Sequence, residues 1–157
     1  MEAVVEPDIR IGPFALWVHR RQSEATVDPW WIDEIECRVV VSSADTTAVL
    51  TGTIPSRNLH FFAEELAKLN ETLSGSAGLD GFDMGVVVVV EPADATGHLR
   101  SQFRLWPGGA WNGELKAEFA FDQTYLPQLL REVRRVLARF PVMVEFAGDP
   151  VPAPPSR

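Results

Sequence analysis

One stretch of the sequence, residues 113–140, constrains the fold more than any other because its apolar residues change period midway. Within residues 115–121 an apolar side chain recurs at every second position, which predicts a strand with one buried face. From Leu126 onwards the apolar residues fall three and four positions apart, which predicts an amphipathic helix. Pro127 fits the first turn of that helix, and Thr124 is its predicted N-cap. A strand followed by such a helix buries both apolar faces in one core, so the chain is predicted to be of the α+β class.

The remainder of the chain repeats the same two patterns. Three strands are predicted before a first helix, which begins near Ser56 or Asn58 and ends at Gly75. About four more strands are predicted before the second helix, which gives the order βββ-α-ββββ-α. Short turns favour one two-layer domain, with a mainly antiparallel sheet of about seven strands and both helices on one face. Residues 1–147 are predicted to form this domain and residues 148–157 a proline-rich tail.

Composition and charge argue against several classes of function. A net charge of -8 and a pI near 4.8 disfavour binding to nucleic acid or to an anionic membrane. The sequence has no signal peptide and no apolar run long enough to span a bilayer, so a cytoplasmic location is expected. The single cysteine, Cys37, falls among apolar residues of an alternating segment, where it is predicted to be a small core residue.

No recognisable catalytic or cofactor motif occurs in the sequence. The segment PGGAWNG at residues 107–113 is not followed by a helix, so it is predicted to be a hairpin turn rather than a phosphate-binding loop. Three histidines are spread along the chain, and no metal site is predicted from them: His19, His60 and His98. Glu34 and Glu36 share a predicted strand face with Arg38, which favours a solvated, charge-paired face over catalytic carboxylates. We therefore expect a protein that is not an enzyme and that needs no cofactor or metal.

The outward-facing positions of the predicted sheet form the candidate binding surface. They carry Trp and Arg side chains among charged ones, which are the residue types that dominate protein interfaces. The predicted partner-binding residues are Trp30, Glu34, Glu36, Arg100, Arg104 and Trp106. Acidic residues around Trp30 favour a basic partner. Two alternatives remain for this face: cross-strand ion pairs exposed to water, or contact with a second copy of the chain.

Three segments carry a resemblance to a known family: the strand WWIDEIECRVVVS, the helix LHFFAEELAKLNETLSG and the ending FAFDQTYLPQLLREVRRVLARFP. In their order and their apolar and aromatic positions they resemble small bacterial immunity proteins of the wall-associated-protein toxin (WapI) type, over roughly residues 28–141. The resemblance implies a protein that binds and neutralises a cognate toxin domain, and it assigns no functional residues. Two other functions stay open: a self-associating accessory or structural protein, such as a homodimer, and an enzyme or small-ligand carrier without a recognisable motif.

Overall fold

The computed structural model describes residues 5–21, 33–107 and 113–143, and within them eight strands form two antiparallel, four-stranded sheets. The first sheet contains, in spatial order, β1 (Ile9–Ile11), β2 (Phe14–Arg21), β3 (Glu34–Ser42) and β4 (Thr47–Pro55). The second contains β5 (Ala77–Gly81), β6 (Val86–Pro92), β7 (His98–Leu105) and β8 (Leu115–Asp122). Helix α1 (Ser56–Thr72) follows the first sheet, and helix α2 (Leu126–Arg139) follows the second.

The α+β class and the two helices are confirmed, but the strands form two sheets rather than one of about seven strands. The division falls at α1, which follows β4 without a loop. Strand β5 then packs against α1 and pairs with β6, so it begins a second sheet instead of extending the first. The predicted N-cap at Thr124 is wrong, because a short 3-10 turn (Gln123–Tyr125) precedes α2 and is capped by Asp122. The predicted tail lies outside the described residues.

The apolar faces of the two sheets meet in one core. Phe14 of β2 stacks on Phe103 of β7 with 5.2 Å between ring centroids, and both rings are buried. The helices add their apolar stripes to this core, through Leu59, Phe62, Leu66 and Leu69 of α1 and through Leu129, Val133 and Val136 of α2. The outer faces of the two sheets therefore point away from the shared core. No helix in the described part of the chain is long and apolar enough to cross a membrane.

Side chains of α2 and of the 3-10 turn before it cap the outer edge of the first sheet at β1. The main-chain N–H of Arg10 donates to Glu132 Oε1 at 2.8 Å, and the Tyr125 hydroxyl donates to the Arg10 carbonyl at 2.5 Å. Both polar groups of the edge residue are thus satisfied by side chains rather than by another strand. Because an open strand edge is a template for pairing with another chain, this arrangement blocks such pairing at β1.

The edge of the second sheet at β5 is capped in the same way by α1. Glu65 accepts a hydrogen bond from Gly78 N at 3.2 Å. Asn58 donates its side-chain amide to the Asp80 carbonyl at 2.8 Å. Each helix therefore covers one sheet edge as well as part of the core.

The chain segment after α2 is fastened to the start of β3 through buried Asp33. Its Oδ1 accepts a hydrogen bond from Met143 N at 2.7 Å and lies 3.6 Å from Arg21 Nη1. Arg21 also donates to the Pro141 carbonyl at 2.9 Å. Residues near the two ends of the described chain thus meet at one acidic side chain.

Candidate protein-binding surface

The residues predicted to bind a partner do not form one continuous surface. Glu36 lies on the outer face of the first sheet, where its Oε2 is 2.9 Å from Arg20 Nε. Arg100 and Arg104 lie on β7 of the second sheet. The outer faces of the two sheets point away from a common core. Glu36 and the two arginines therefore cannot belong to one small contact surface. Trp30 lies outside the described residues.

Glu34 is not part of any exposed surface, which corrects the expectation that it faces outward. Its exposed fraction is only 2%. Glu34 lies opposite Pro55, the last residue of β4, and α1 begins at the next residue. Ser56 and Arg57 in the first turn of α1 are buried as well, and Ser56 N donates to the carbonyl of Asp33, the neighbour of Glu34, at 2.8 Å. Glu34 therefore lies in the buried β4–α1 junction and is inaccessible to a partner.

Arg104 and Trp106 do come together, and the structure adds Phe82 to them. The Arg104 guanidinium carbon lies 5.1 Å from the centroid of the Trp106 ring. Phe82 meets the same indole edge to face, at 5.6 Å between centroids. Phe82 is 66% exposed, and Arg104 is exposed too. We call Phe82, Arg104 and Trp106 the anchor cluster.

The turn between β5 and β6 is built so that Phe82 is held beside Trp106. Asp80 Oδ1 accepts the Phe82 N–H at 2.9 Å, which closes the turn. Gly85 has a φ of 91°, and its carbonyl accepts the Trp106 N–H at 2.8 Å. A β-carbon at residue 85 would clash with the Trp106 carbonyl, so both the conformation and the close approach require glycine here. The backbone itself therefore fastens the turn to Trp106.

The charged groups around the cluster are paired with one another. Arg104 Nε donates to Glu114, and this hydrogen bond lowers the pKa of the Glu114 carboxyl. Arg100 Nη2 lies 2.6 Å from Glu91 Oε1, and its Nε lies 4.0 Å from Glu118 Oε1. The outer face of the second sheet thus carries the cross-strand ion pairs that were one alternative for this surface. Beside it, the anchor cluster supplies exposed aromatic area that a purely solvated face does not need.

The arrangement offers contact area rather than reactive groups. Phe82, Trp106 and Asp83 line a shallow groove of about 520 Å³. The described residues contain no group of three or more His, Cys, Asp or Glu side chains that could hold a metal ion. Burial raises the pKa of the Cys37 thiol to about 12, so this thiol is protonated at neutral pH and unsuited to nucleophilic attack.

Phe82 is the residue of this surface that sequence reasoning missed. It falls in the segment GLDGFDMG between two predicted strands, where no apolar period exists to place it inside or outside. A usable signal is present nevertheless, since a large aromatic residue between Gly81 and Asp83 sits among turn residues. Turns lie at the surface, so such a residue is a candidate for exposure.

A family model described as the Immunity protein WapI-like family matches residues 8–141 of this chain. The matched range contains all eight strands and both helices. No curated protein shows a significant match. The resemblance inferred from the three sequence segments is therefore confirmed at the level of the family.

Proposed function

The chain belongs to the immunity protein WapI-like family, and from this premise we propose that it binds a cognate bacterial toxin domain in the cytoplasm and neutralises it. It does so as a non-enzymatic binding protein, by occupying part of the toxin surface. We place the centre of the contact at the anchor cluster. The observation that carries this placement is Phe82, which is 66% exposed and yet held against Trp106.

The three side chains of the anchor cluster have the properties of interface hot spots. Tryptophan and arginine are enriched among residues whose truncation costs the most binding energy, and aromatic rings provide large contact areas. Here the ring of Trp106 already contacts both Arg104 and Phe82. Because this geometry exists before binding, little additional side-chain entropy is lost when a partner covers it.

Charge supports a basic partner. The chain carries a net charge of -8, and Asp80 and Asp83 are exposed on either side of Phe82. An acidic protein attracts a basic one over distances of about 10 Å at ordinary ionic strength, which speeds their encounter. We therefore expect salt to lower the association rate more than it raises the dissociation rate.

The test is a calorimetric titration of the purified protein with the toxin domain encoded next to it, at two salt concentrations. Phe82→Ala and Arg104→Ala should each weaken binding by about 1–2 kcal/mol or more, because each removes part of the preorganised contact. Phe61→Ala is the matched control for the first variant, since Phe61 is an exposed phenylalanine on α1. Arg134→Ala is the matched control for Arg104→Ala, since Arg134 is an exposed arginine on α2.

Two results would contradict the proposal at different levels. If the wild-type protein binds the toxin and both anchor variants bind equally well, the contact lies on another surface while the immunity role stands. If the wild-type protein neither binds nor inhibits the toxin, the immunity role itself is wrong for this pairing.

A further inference from the structure

Strand β8 is the one sheet edge that no described residue caps or covers. Edge β1 is closed by Tyr125 and Glu132, and edge β5 by Glu65 and Asn58. The fourth edge strand, β4, is in contact with the turn that contains Met84. By contrast, β8 pairs with no strand other than β7 within the described residues.

The hydrogen-bond pattern shows which residues of β8 leave their main-chain groups open. Gln123 N donates to Gly97 O at 3.0 Å, and the Phe119 carbonyl accepts from Ser101 Oγ at 3.0 Å. Odd-numbered residues of this segment therefore direct their N–H and C=O toward β7. The direction of these main-chain groups alternates along a strand. The N–H and C=O groups of Lys116, Glu118 and Ala120 therefore point away from β7, toward the free edge of the sheet.

This open edge lacks the devices that usually prevent strand pairing. The pairing of β8 with β7 runs without a bulge from Leu115 to Asp122, and no proline interrupts it. Charged side chains often protect an edge. Here Lys116 and Glu118 carry charges of opposite sign two positions apart. A charged strand that pairs with β8 is therefore repelled in some registers and attracted in others.

We propose that β8 pairs antiparallel with β8 of a second copy of this chain, with Lys116 opposite Glu118 of the partner subunit. A two-fold axis then passes beside Ala117, a small residue on the inner face. Lys116 and Glu118 form two ion pairs across the axis, and each such residue pair exchanges two main-chain hydrogen bonds. The result is one continuous eight-stranded sheet in a homodimer, a contact that adjoins the anchor cluster because Lys116 is the cross-strand neighbour of Arg104.

The inner faces of the two strands are also complementary in this register. Leu115 lies opposite Phe119 of the partner subunit, and both residues are only half-buried in the single chain. Leu115 and Ala117 line a groove of about 180 Å³ beneath the start of β8, on the side of the core. Pairing brings an aromatic ring alongside this groove and removes apolar surface from water.

Other antiparallel registers are less favourable. An axis through Glu118 or through Lys116 places like charges directly opposite each other, which is destabilising. An axis through Phe119 brings two phenylalanine rings to one position and uses Asp122 as the counter-charge of Lys116. That register also places Glu118 opposite Ala120 of the partner subunit, where Glu118 faces no counter-charge across the axis.

A charge-exchange experiment on the full chain tests this register. Wild-type protein should dimerise in a concentration series followed by sedimentation and light scattering. Lys116→Glu and Glu118→Lys should each raise the dimer dissociation constant by about tenfold or more, since each variant faces like charges across the axis. An equimolar mixture of the two variants should form a heterodimer, because both facing pairs are then of opposite sign.

Matched controls carry the same charge changes on α1: Lys68→Glu and Glu71→Lys lie at exposed positions there and should leave the dimer intact. Amide exchange gives a second readout, with the Glu118 N–H protected in the wild-type dimer and unprotected in the Lys116→Glu monomer. Circular dichroism confirms that each variant is folded.

Three outcomes would overturn the proposal. If the wild-type protein stays monomeric up to about 1 mM, the β8–β8 interface does not form at relevant concentrations. Dimers that survive both single substitutions use another surface. Single variants that are monomeric and fail to recover as a mixture show that these residues do not face each other. If the wild type is monomeric and toxin binding is lost in Lys116→Glu but kept in Arg104→Ala, the edge receives a strand of the toxin instead.

Discussion

Phe103 and Phe119 face inward from adjacent strands, but the exposed fractions of their side chains differ. Phe103 has no exposed surface and stacks on Phe14 where the two sheets meet. Phe119 is half-buried on the edge strand β8 and lies close to Gly12, where a β-carbon would collide with its ring. Gly12 has a φ of 53°, so the tight turn between β1 and β2 makes room for this ring.

We predict that Phe103→Ala lowers the free energy of unfolding by about 3–5 kcal/mol, because it leaves a cavity in a fully packed site. Phe119→Ala should cost only about 1–3 kcal/mol, because part of that ring is already hydrated and the site can relax. Urea unfolding of both variants beside the wild type measures the difference. Equal losses, or a larger loss at Phe119, would contradict this reading of the core.

At the scale of single residues, alternation predicts on which side of a strand a residue lies but not how deeply it is buried. It assigns Phe103 and Phe119 correctly to the inner side. It fails for Glu34, because the helix turn that covers this residue belongs to another part of the chain. It makes no statement about Phe82, which belongs to a turn with no period at all. Both failures concern contacts set by tertiary structure.

Strands and helices are the scale at which the sequence is most informative. Both helices and most strands correspond to periodic segments, since an amphipathic element must repeat its apolar residues to bury one face. The exceptions are the short strands β1 and β5 and the valine run of β6, which does not alternate. The division into two sheets is not predictable in this way. It depends on whether β5 pairs with β4 or packs on α1, and both choices bury the same apolar face.

The caps of the strand edges give a prediction at this scale. Tyr125→Phe removes the hydroxyl that donates to the Arg10 carbonyl, while the edge-on contact of the ring with Phe121 is kept. We expect the free energy of unfolding to fall by about 0.5–1.5 kcal/mol, the usual net contribution of one hydrogen bond.

The measurement is the midpoint of urea unfolding at constant slope, with Thr51→Val as a comparison that removes an exposed hydroxyl from β4. An unchanged midpoint for Tyr125→Phe would show that water replaces the hydroxyl without loss. In that case β1 would not depend on α2 for its edge.

For the molecule as a whole, acid is a condition that should weaken folding. The pKa values of three carboxyl groups are lowered in the folded state by local hydrogen bonds: Asp94 mainly by Thr96, Glu114 mainly by Arg104, and Asp122 mainly by the Thr124 main chain. A group with a lowered folded pKa stabilises the fold above its unfolded pKa. This contribution disappears as the pH falls through the folded value.

We therefore predict that the urea midpoint is nearly constant from neutral pH to about pH 5 and falls on further acidification, starting near the ordinary carboxyl pKa of about 4. Glu114→Gln should lose part of this acid sensitivity, because it has no carboxylate to protonate. Glu71→Gln, at an exposed position of α1, should keep the wild-type profile. A midpoint that rises on acidification would contradict the assignment.

The contacts that hold the beginning of the chain to its end also determine when the fold can close during synthesis. Arg10 reaches partners 115 and 122 positions further along, and Asp33 reaches one 110 positions away. The ribosome therefore synthesises β1 to β4 well before the capping residues Tyr125 and Glu132. Until those residues emerge, the edge of the first sheet at β1 stays uncapped. Chaperones that shield exposed surface should therefore matter for its yield. A message cut short before α2 would yield a chain prone to misassociation, because its first sheet would keep an uncapped edge.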